Sequence, residues 1–177
     1  MYDATHPTET SKFGEISMTE FTQEIIAFLL FAGFLIVGWK VKPLRYFSYL
    51  ASMFFMMSFI REFNEFIDNW FYFVLPFLGV SIYIIIRYFK KIVDGISIYI
   101  RIPSSGLFMV GFLITYVFSR FFGREKFWRT LMEDGYLRMV KATAEEGIEL
   151  LGYCLLFIAL IELLVSIPGL LNQEDRG

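Results

Sequence analysis

Five stretches of this chain are apolar for about as long as a bilayer is thick, and that bounds the fold before any motif is read. Crossing the hydrocarbon takes about 20 residues of helix. The candidate segments run from about Glu20 to Trp39, Leu44 to Ile60, Trp70 to Phe89, the residues after RIPSSG to Phe122, and Glu146 to Ile167. Strand-period alternation punctuated by turns is absent, which sets aside a β-barrel. The expected fold is an all-α polytopic integral membrane helical bundle of about five transmembrane helices, with an amphipathic connector before the last.

Local signals refine the boundaries. Thr19 is the expected cap of the first helix, and Pro76 the expected kink of the third. Pro103 with Ser104 or Ser105 gives a stop-and-cap signal before the fourth. Pro168–Gly169 is expected to end the fifth. The segment Lys90–Arg101, KKIVDGISIYIR, is too short to span and reads as a loop lying at the interface. Arg124–Thr143 reads as a helix-rich connector broken at Gly135, with Phe127, Trp128 and Tyr136 at the headgroup level. The domain reading is a polar N-terminal tail over 1–19, a single transmembrane helical domain over 20–171, and a polar tail over 172–177.

Composition supports the lipid solvent and excludes several functions. The chain is 56% hydrophobic and carries 22 Phe, against about 45–50% apolar in ordinary soluble domains. A net charge of −2, with no basic patch interleaved with stacking aromatics, gives no reason to expect a nucleic-acid partner. The single cysteine, Cys154, excludes an intramolecular disulfide framework and a CxxC metal site, and reads as a small buried hydrophobe. The single histidine, His6, lies in the polar N-terminal tail. A multi-histidine zinc site, a two-histidine diiron site and bis-histidine haem within one chain are thereby excluded. No other cofactor is indicated.

The first 19 residues lack a basic region followed by an apolar core, so no signal peptide is expected. Lys12 precedes the first apolar segment, and Lys40, Lys42 and Arg45 follow it. That bias predicts an extracytoplasmic N-terminus and a cytoplasmic C-terminus; the expected location is a bacterial inner membrane. The sixteen Lys and Arg otherwise divide evenly between the two sides.

The polar residues follow a pattern that five crossings would explain. SFIREFNEFIDNW joins the second and third segments, SRFFGRE ends the fourth and KATAEEGIELLGY opens the fifth. Chain topology then gathers Arg61, Glu62, Asn64, Glu65, Asp68, Ser119, Arg120, Glu145, Glu146, Glu149 and Tyr153 into one layer, joined by Glu20 and Glu24. At helical spacing Arg61, Glu62, Asn64, Glu65 and Asp68 share one face, opposite Phe63, Phe66 and Ile67. Arg61 and Glu65 are four apart and suited to pair. Glu149 stands about one turn inside its apolar stretch. A charge at the centre of a membrane helix costs about 2.5–3.5 kcal/mol on insertion scales, so such groups usually face the bundle and pair. Arg120 and Arg61 are the expected partners for Glu65 and Glu149.

The blander reading competes with this one. Glu62, Asp68, Glu145 and Glu146 suit ordinary headgroup-level residues, and a paired network can fix helix register without touching a ligand. Glu162, nearer the other side, has Lys40, Lys42 or Arg45 as expected partners, or else an interfacial position. Glu62 with Glu65, and Glu145 with Glu149, offer oxygen ligands for Ca²⁺ or Mg²⁺, against which the neighbouring arginines weigh. Ser104–Ser105 has no paired base and reads as a cap rather than a nucleophile. The chain has no GxxxG, but Gly147 and Gly152 permit close packing of the last helix.

Three functions remain, in order. The first is a non-catalytic accessory or scaffold subunit of a larger membrane complex. Its partners would be the lipid bilayer and other membrane subunits, or further copies of the chain. The second is an ion- or proton-translocating carrier or channel, working as a homo-oligomer through the Arg/Glu cluster. The third is an intramembrane lipid-modifying enzyme with Glu65 or Glu149 as acid/base; the small repertoire of catalytic side chains places it last.

Overall fold

A computed structural model describes residues 18–62 and 69–174. Among them no strand occurs, and the chain is an all-α helical bundle. Helix α1 is Met18–Lys40, α2 Arg45–Glu62, α3 Trp70–Tyr99, α4 Ser104–Phe122, α5 Glu125–Met132 and α6 Arg138–Glu174.

Helix α1 is apolar nearly all round, as a membrane helix must be. Its buried residues, Gln23, Ile26, Ala27, Leu30, Gly33, Phe34, Val37 and Gly38, recur at helical spacing and form the inward face. Phe21, Phe28, Leu35 and Trp39 point out, with Trp39 at the end where an amphipathic ring suits the interface. The helix already includes Thr19, so that residue lies in the first turn rather than before it.

A one-turn 3-10 element, Lys42–Leu44, with Pro43 inside it, reverses the chain. Helix α2 then runs back along α1. Tyr49 lies against Gly38, the Ser52 hydroxyl donates to the Phe31 carbonyl at 2.9 Å, and Phe59 meets Phe28 at 5.6 Å between ring centroids. The two helices therefore keep company over most of their length.

Among the described residues four helices are long and apolar enough to cross a membrane: α1, α3, α4 and α6. The expected count of about five is not met on that measure, and α2 is the reason. Its 18 residues include Arg45, Arg61 and Glu62, and the hydroxyls of Ser48, Ser52 and Ser58 occupy its buried face. Helix α2 is a bundle-lining helix, packed between α1 and α3.

Helix α3 corrects two expectations. The chain does not leave the helix at Phe89; Lys90 to Tyr99 continue it, so that the interfacial loop expected at Lys90–Arg101 is helix for most of its length. The non-helical residue inside α3 is Tyr88 (φ −125°, ψ 24°), well beyond Pro76. At that bend the Tyr88 ring stacks on Tyr46 of α2 at 4.1 Å, and the Lys91 ammonium lies 5.4 Å from the Tyr46 ring. The bend coincides with a tertiary stacking contact, which sequence-local proline reasoning does not see. Only Val74, Ser81, Ile92, Gly95 and Tyr99 of α3 are buried.

The remaining helices close a ring. Helix α6 packs on α1 and α4. Helix α4 meets α2 through aromatic side chains, with Phe54 against Phe112 and Tyr116, and Phe55 against Phe108. Phe34 sits at the centre, 5.7 Å from Phe55 and 5.5 Å from Phe108. Helix α3 lies outside this ring, packed on α2 and the turn before it.

The connector after α4 holds the short helix α5, then a 3-10 turn at Glu133–Gly135. The break expected at Gly135 is present, although the residue with positive φ is Glu133 (φ 47°). Helix α6 does not stop at Pro168–Gly169. It runs on to Glu174 and takes in part of the expected C-terminal tail. A proline fits the helical φ and forfeits one backbone bond, which a long, laterally packed helix tolerates.

Two small-residue expectations also change. Cys154 is exposed, because Tyr153, Leu156, Leu160 and Leu163 turn the other side of α6 inward. Nothing lies within 4 Å of a side-chain carbon placed at Gly147, whereas one at Gly152 would run into the Thr115 side chain and lie 2.8 Å from its backbone nitrogen. Gly152 faces Gly111 across the α4–α6 crossing, and a side chain on either would force the two backbones apart.

Candidate functional site

The polar layer is built from the ends of four helices. Its innermost part is a chain of hydroxyls. The buried face of α2 presents Ser58, whose Oγ lies 3.0 Å from Tyr116 Oη on α4, and Tyr116 Oη lies 3.4 Å from Tyr153 Oη on α6. Tyr153 is 2% exposed, so this contact sits within the core.

Tyr116 reaches this position from an irregular turn. Residues Ile114–Phe118 form one π-helical turn inside α4. Such turns insert an extra residue, shift the helix face that follows, and recur at functional sites. The Ser119 hydroxyl donates to the Thr115 carbonyl at 2.5 Å, satisfying a backbone group in the altered ladder. The buried Thr115 hydroxyl has no hydrogen-bond partner among the described residues.

Around the hydroxyls stand the charges. Arg120 Nη2 and Glu149 Oε1 are 3.1 Å apart, joining the last turn of α4 to α6, with Ser119 beside them. Glu149 is the more sheltered partner at 17% side-chain exposure, against 50% for Arg120. Arg61 bonds Glu62 at 2.7 Å and stands near both Tyr116 and Tyr153. Glu145 pairs with Lys141 one turn back on α6 at 3.3 Å. On the α1 side, the Gln23 amide, itself 4% exposed, donates to the Glu146 carbonyl at 3.3 Å, and Glu24 lies near Glu62.

Of the residues singled out from sequence, the structure brings Arg61, Glu62, Ser119, Arg120, Glu145, Glu146, Glu149 and Tyr153 to one end of the bundle. Asn64, Glu65 and Asp68 lie outside the described residues, as does the pairing of Arg61 with Glu65. Arg61 is bonded to its neighbour Glu62. Glu162 makes no ion pair among the described residues, and Arg45 directs its guanidinium to the Gly38 carbonyl at 3.4 Å.

Ser58, Tyr116 and Gln23 were not among the sequence candidates. Ser58 carries a readable signal: with Ser48 and Ser52 it is a hydroxyl in an otherwise apolar segment, where an inward position is favoured. Gln23 repeats that logic on α1. Nothing in the sequence announces the π turn that aims Tyr116.

Chemically, the arrangement is a set of paired ions at the rim with a hydrogen-bonded hydroxyl chain below it. No three His, Cys, Asp or Glu side chains cluster among the described residues. No family model matches the chain, and neither a curated protein nor a solved structure matches it. With four membrane-length apolar helices among the described residues, the chain is an integral membrane protein of all-α architecture.

Proposed function

We propose that this chain serves as a non-catalytic accessory or scaffold subunit of a larger membrane complex, with the Arg/Glu network fixing the register of its helices. The observation that carries this reading is the Arg120–Glu149 pair, in which the sheltered carboxylate is matched by a cation on the neighbouring helix. Groups matched to each other in this way tie elements together and leave little charge to present to a substrate. Helix α3 adds to the case. It lies outside the ring with Phe71, Tyr72, Phe73, Tyr83, Ile86 and Phe89 exposed, a long apolar face suited to other membrane subunits as well as to lipid.

The test is the composition of the particle extracted from its native membrane in mild detergent, read by native mass spectrometry. Foreign subunits at fixed stoichiometry are the expected result. A monomer or homo-oligomer carrying only lipid would overturn the proposal.

A second reading, proton translocation by a homo-oligomer, draws on the hydroxyl chain from Ser58 through Tyr116 to Tyr153 beside Arg61. It requires a pH-driven flux in proteoliposomes that Tyr116→Phe and Glu149→Gln each abolish while the protein stays folded. A flux unchanged by both would remove the network from that role.

A further inference from the structure

We propose that the seam between the end of α4 and the short helix α5 is a binding site for one anionic phospholipid. The seam is fixed from both sides. Helix α4 ends at Phe122, α5 begins at Glu125, and the Trp128 indole N–H donates to the Phe122 carbonyl at 2.6 Å, folding α5 back against the helix it follows. At helical spacing Phe127, Trp128, Leu131 and Met132 share one face of α5, and Glu125, Lys126, Arg129 and Thr130 the other. The element is thus amphipathic and stands where a membrane-length helix has just ended.

Between the two elements lies an open groove of about 400 Å³, lined by Phe121, Arg124, Lys126, Phe127, Thr130 and Leu131. Its walls are mainly apolar, with Phe121 and Leu131 half-exposed or more. Its two cations are Arg124 and Lys126, and neither has an ion pair among the described residues. Two nearby acids are paired with other bases, Glu125 with Arg129 at 2.6 Å and Glu145 with Lys141 at 3.3 Å. Among the described residues, two positive charges without an ion pair therefore stand beside an apolar groove at the end of a membrane-length helix.

This combination selects the occupant. A free phosphate satisfies the cations and leaves the phenyl rings wet. An acyl chain alone does the reverse. A phospholipid of net negative charge meets both, its phosphate at Arg124 and Lys126 and the upper part of a chain along Phe121, Phe127 and Leu131. A zwitterionic headgroup brings its own cation and gains less. This inference does not depend on the accessory-subunit reading.

The test places the full-length protein in bilayers of phosphatidylglycerol and phosphatidylcholine mixed equally and with identical chains. The protein is extracted in mild detergent and the retained lipid is identified by native mass spectrometry. The expected result is one phosphatidylglycerol held over phosphatidylcholine by about thirtyfold, the scale set by two basic side chains near an anionic surface. R124Q/K126Q should bring the ratio down to that of the bilayer. Leu131→Gln should lower retention of both lipids. Arg138→Gln, on the same membrane side but away from the groove, should leave the preference intact, and excess soluble glycerophosphate should not displace the lipid.

Absence of a preference in the wild type, or its survival in R124Q/K126Q, would overturn the proposal. So would equal loss in Arg138→Gln, which would mark a diffuse field, or displacement by glycerophosphate, which would mark a simple anion site. Because Arg124, Lys126 and Leu131 are exposed, unchanged melting temperatures are expected for these variants.

Discussion

At the scale of single residues, the informative groups are those whose placement in lipid is expensive. Glu149 is the sharpest case. Its position inside an apolar stretch calls for a cation, and Arg120 supplies one. Glu149→Ala or Arg120→Ala should lower stability by about 1–2 kcal/mol, a modest figure because Arg120 is half open to solvent. The charge-swapped double variant should recover part of that loss in a thermal melt; a double variant no better than either single change would rule out direct pairing. The cost of intramembrane charge makes this pair legible from sequence. The same reasoning does not fix Arg61, where adjacency to Glu62 and the i,i+4 spacing to Glu65 offer two partners of equal chemistry. Cys154 shows the opposite limit. In a helix apolar on every face, composition does not say which face is inside, and the exposed thiol reads the same as a buried one.

At the scale of elements, helix existence follows from length and apolarity, while bends and contacts follow from neighbours. The continuation of α3 past Phe89 is obscured by Arg87, Lys90, Lys91 and Asp94, which read as an interface although the backbone stays helical. Its bend at Tyr88 coincides with the stack on Tyr46, and the π turn of α4 carries Tyr116, which meets Ser58 of α2 and Tyr153 of α6. Neither place holds a proline or glycine that would mark it in the sequence. The α4–α6 crossing gives a clean comparison. Gly152→Val should cost more than about 2 kcal/mol, because its side chain meets Thr115 at a backbone approach with no slack. Gly147→Ala, on the same helix in open space, should be neutral or stabilising by up to about 1 kcal/mol through helix propensity. Equal effects in detergent unfolding would mean that the crossing is looser than its geometry.

At the scale of the whole molecule, the fold class was readable because the lipid-facing residues outnumber what a soluble core can hide. Apolarity alone does not decide whether α2 is the fifth crossing, because its 18 residues carry three charges and three inward hydroxyls. Its antiparallel run along α1 predicts that Lys42 and Asn69 lie on opposite membrane faces. With Cys154 replaced by Ser, Lys42→Cys and Asn69→Cys should react with an impermeant maleimide from opposite sides of oriented vesicles. Labelling from one side would show that α2 does not cross. The serine-lined face of α2 also bears on how the protein is made. A segment carrying Arg45, Arg61, Glu62 and three inward hydroxyls is a poor passenger for lipid on its own. During synthesis it gains a satisfied surface only by lying against the helix made just before it. The tight turn at Val41–Pro43 brings that helix within reach at little entropic cost. The first two helices should therefore leave the insertion machinery together as a hairpin, with the Ser52 bond to Phe31 among the earliest tertiary contacts of the nascent chain.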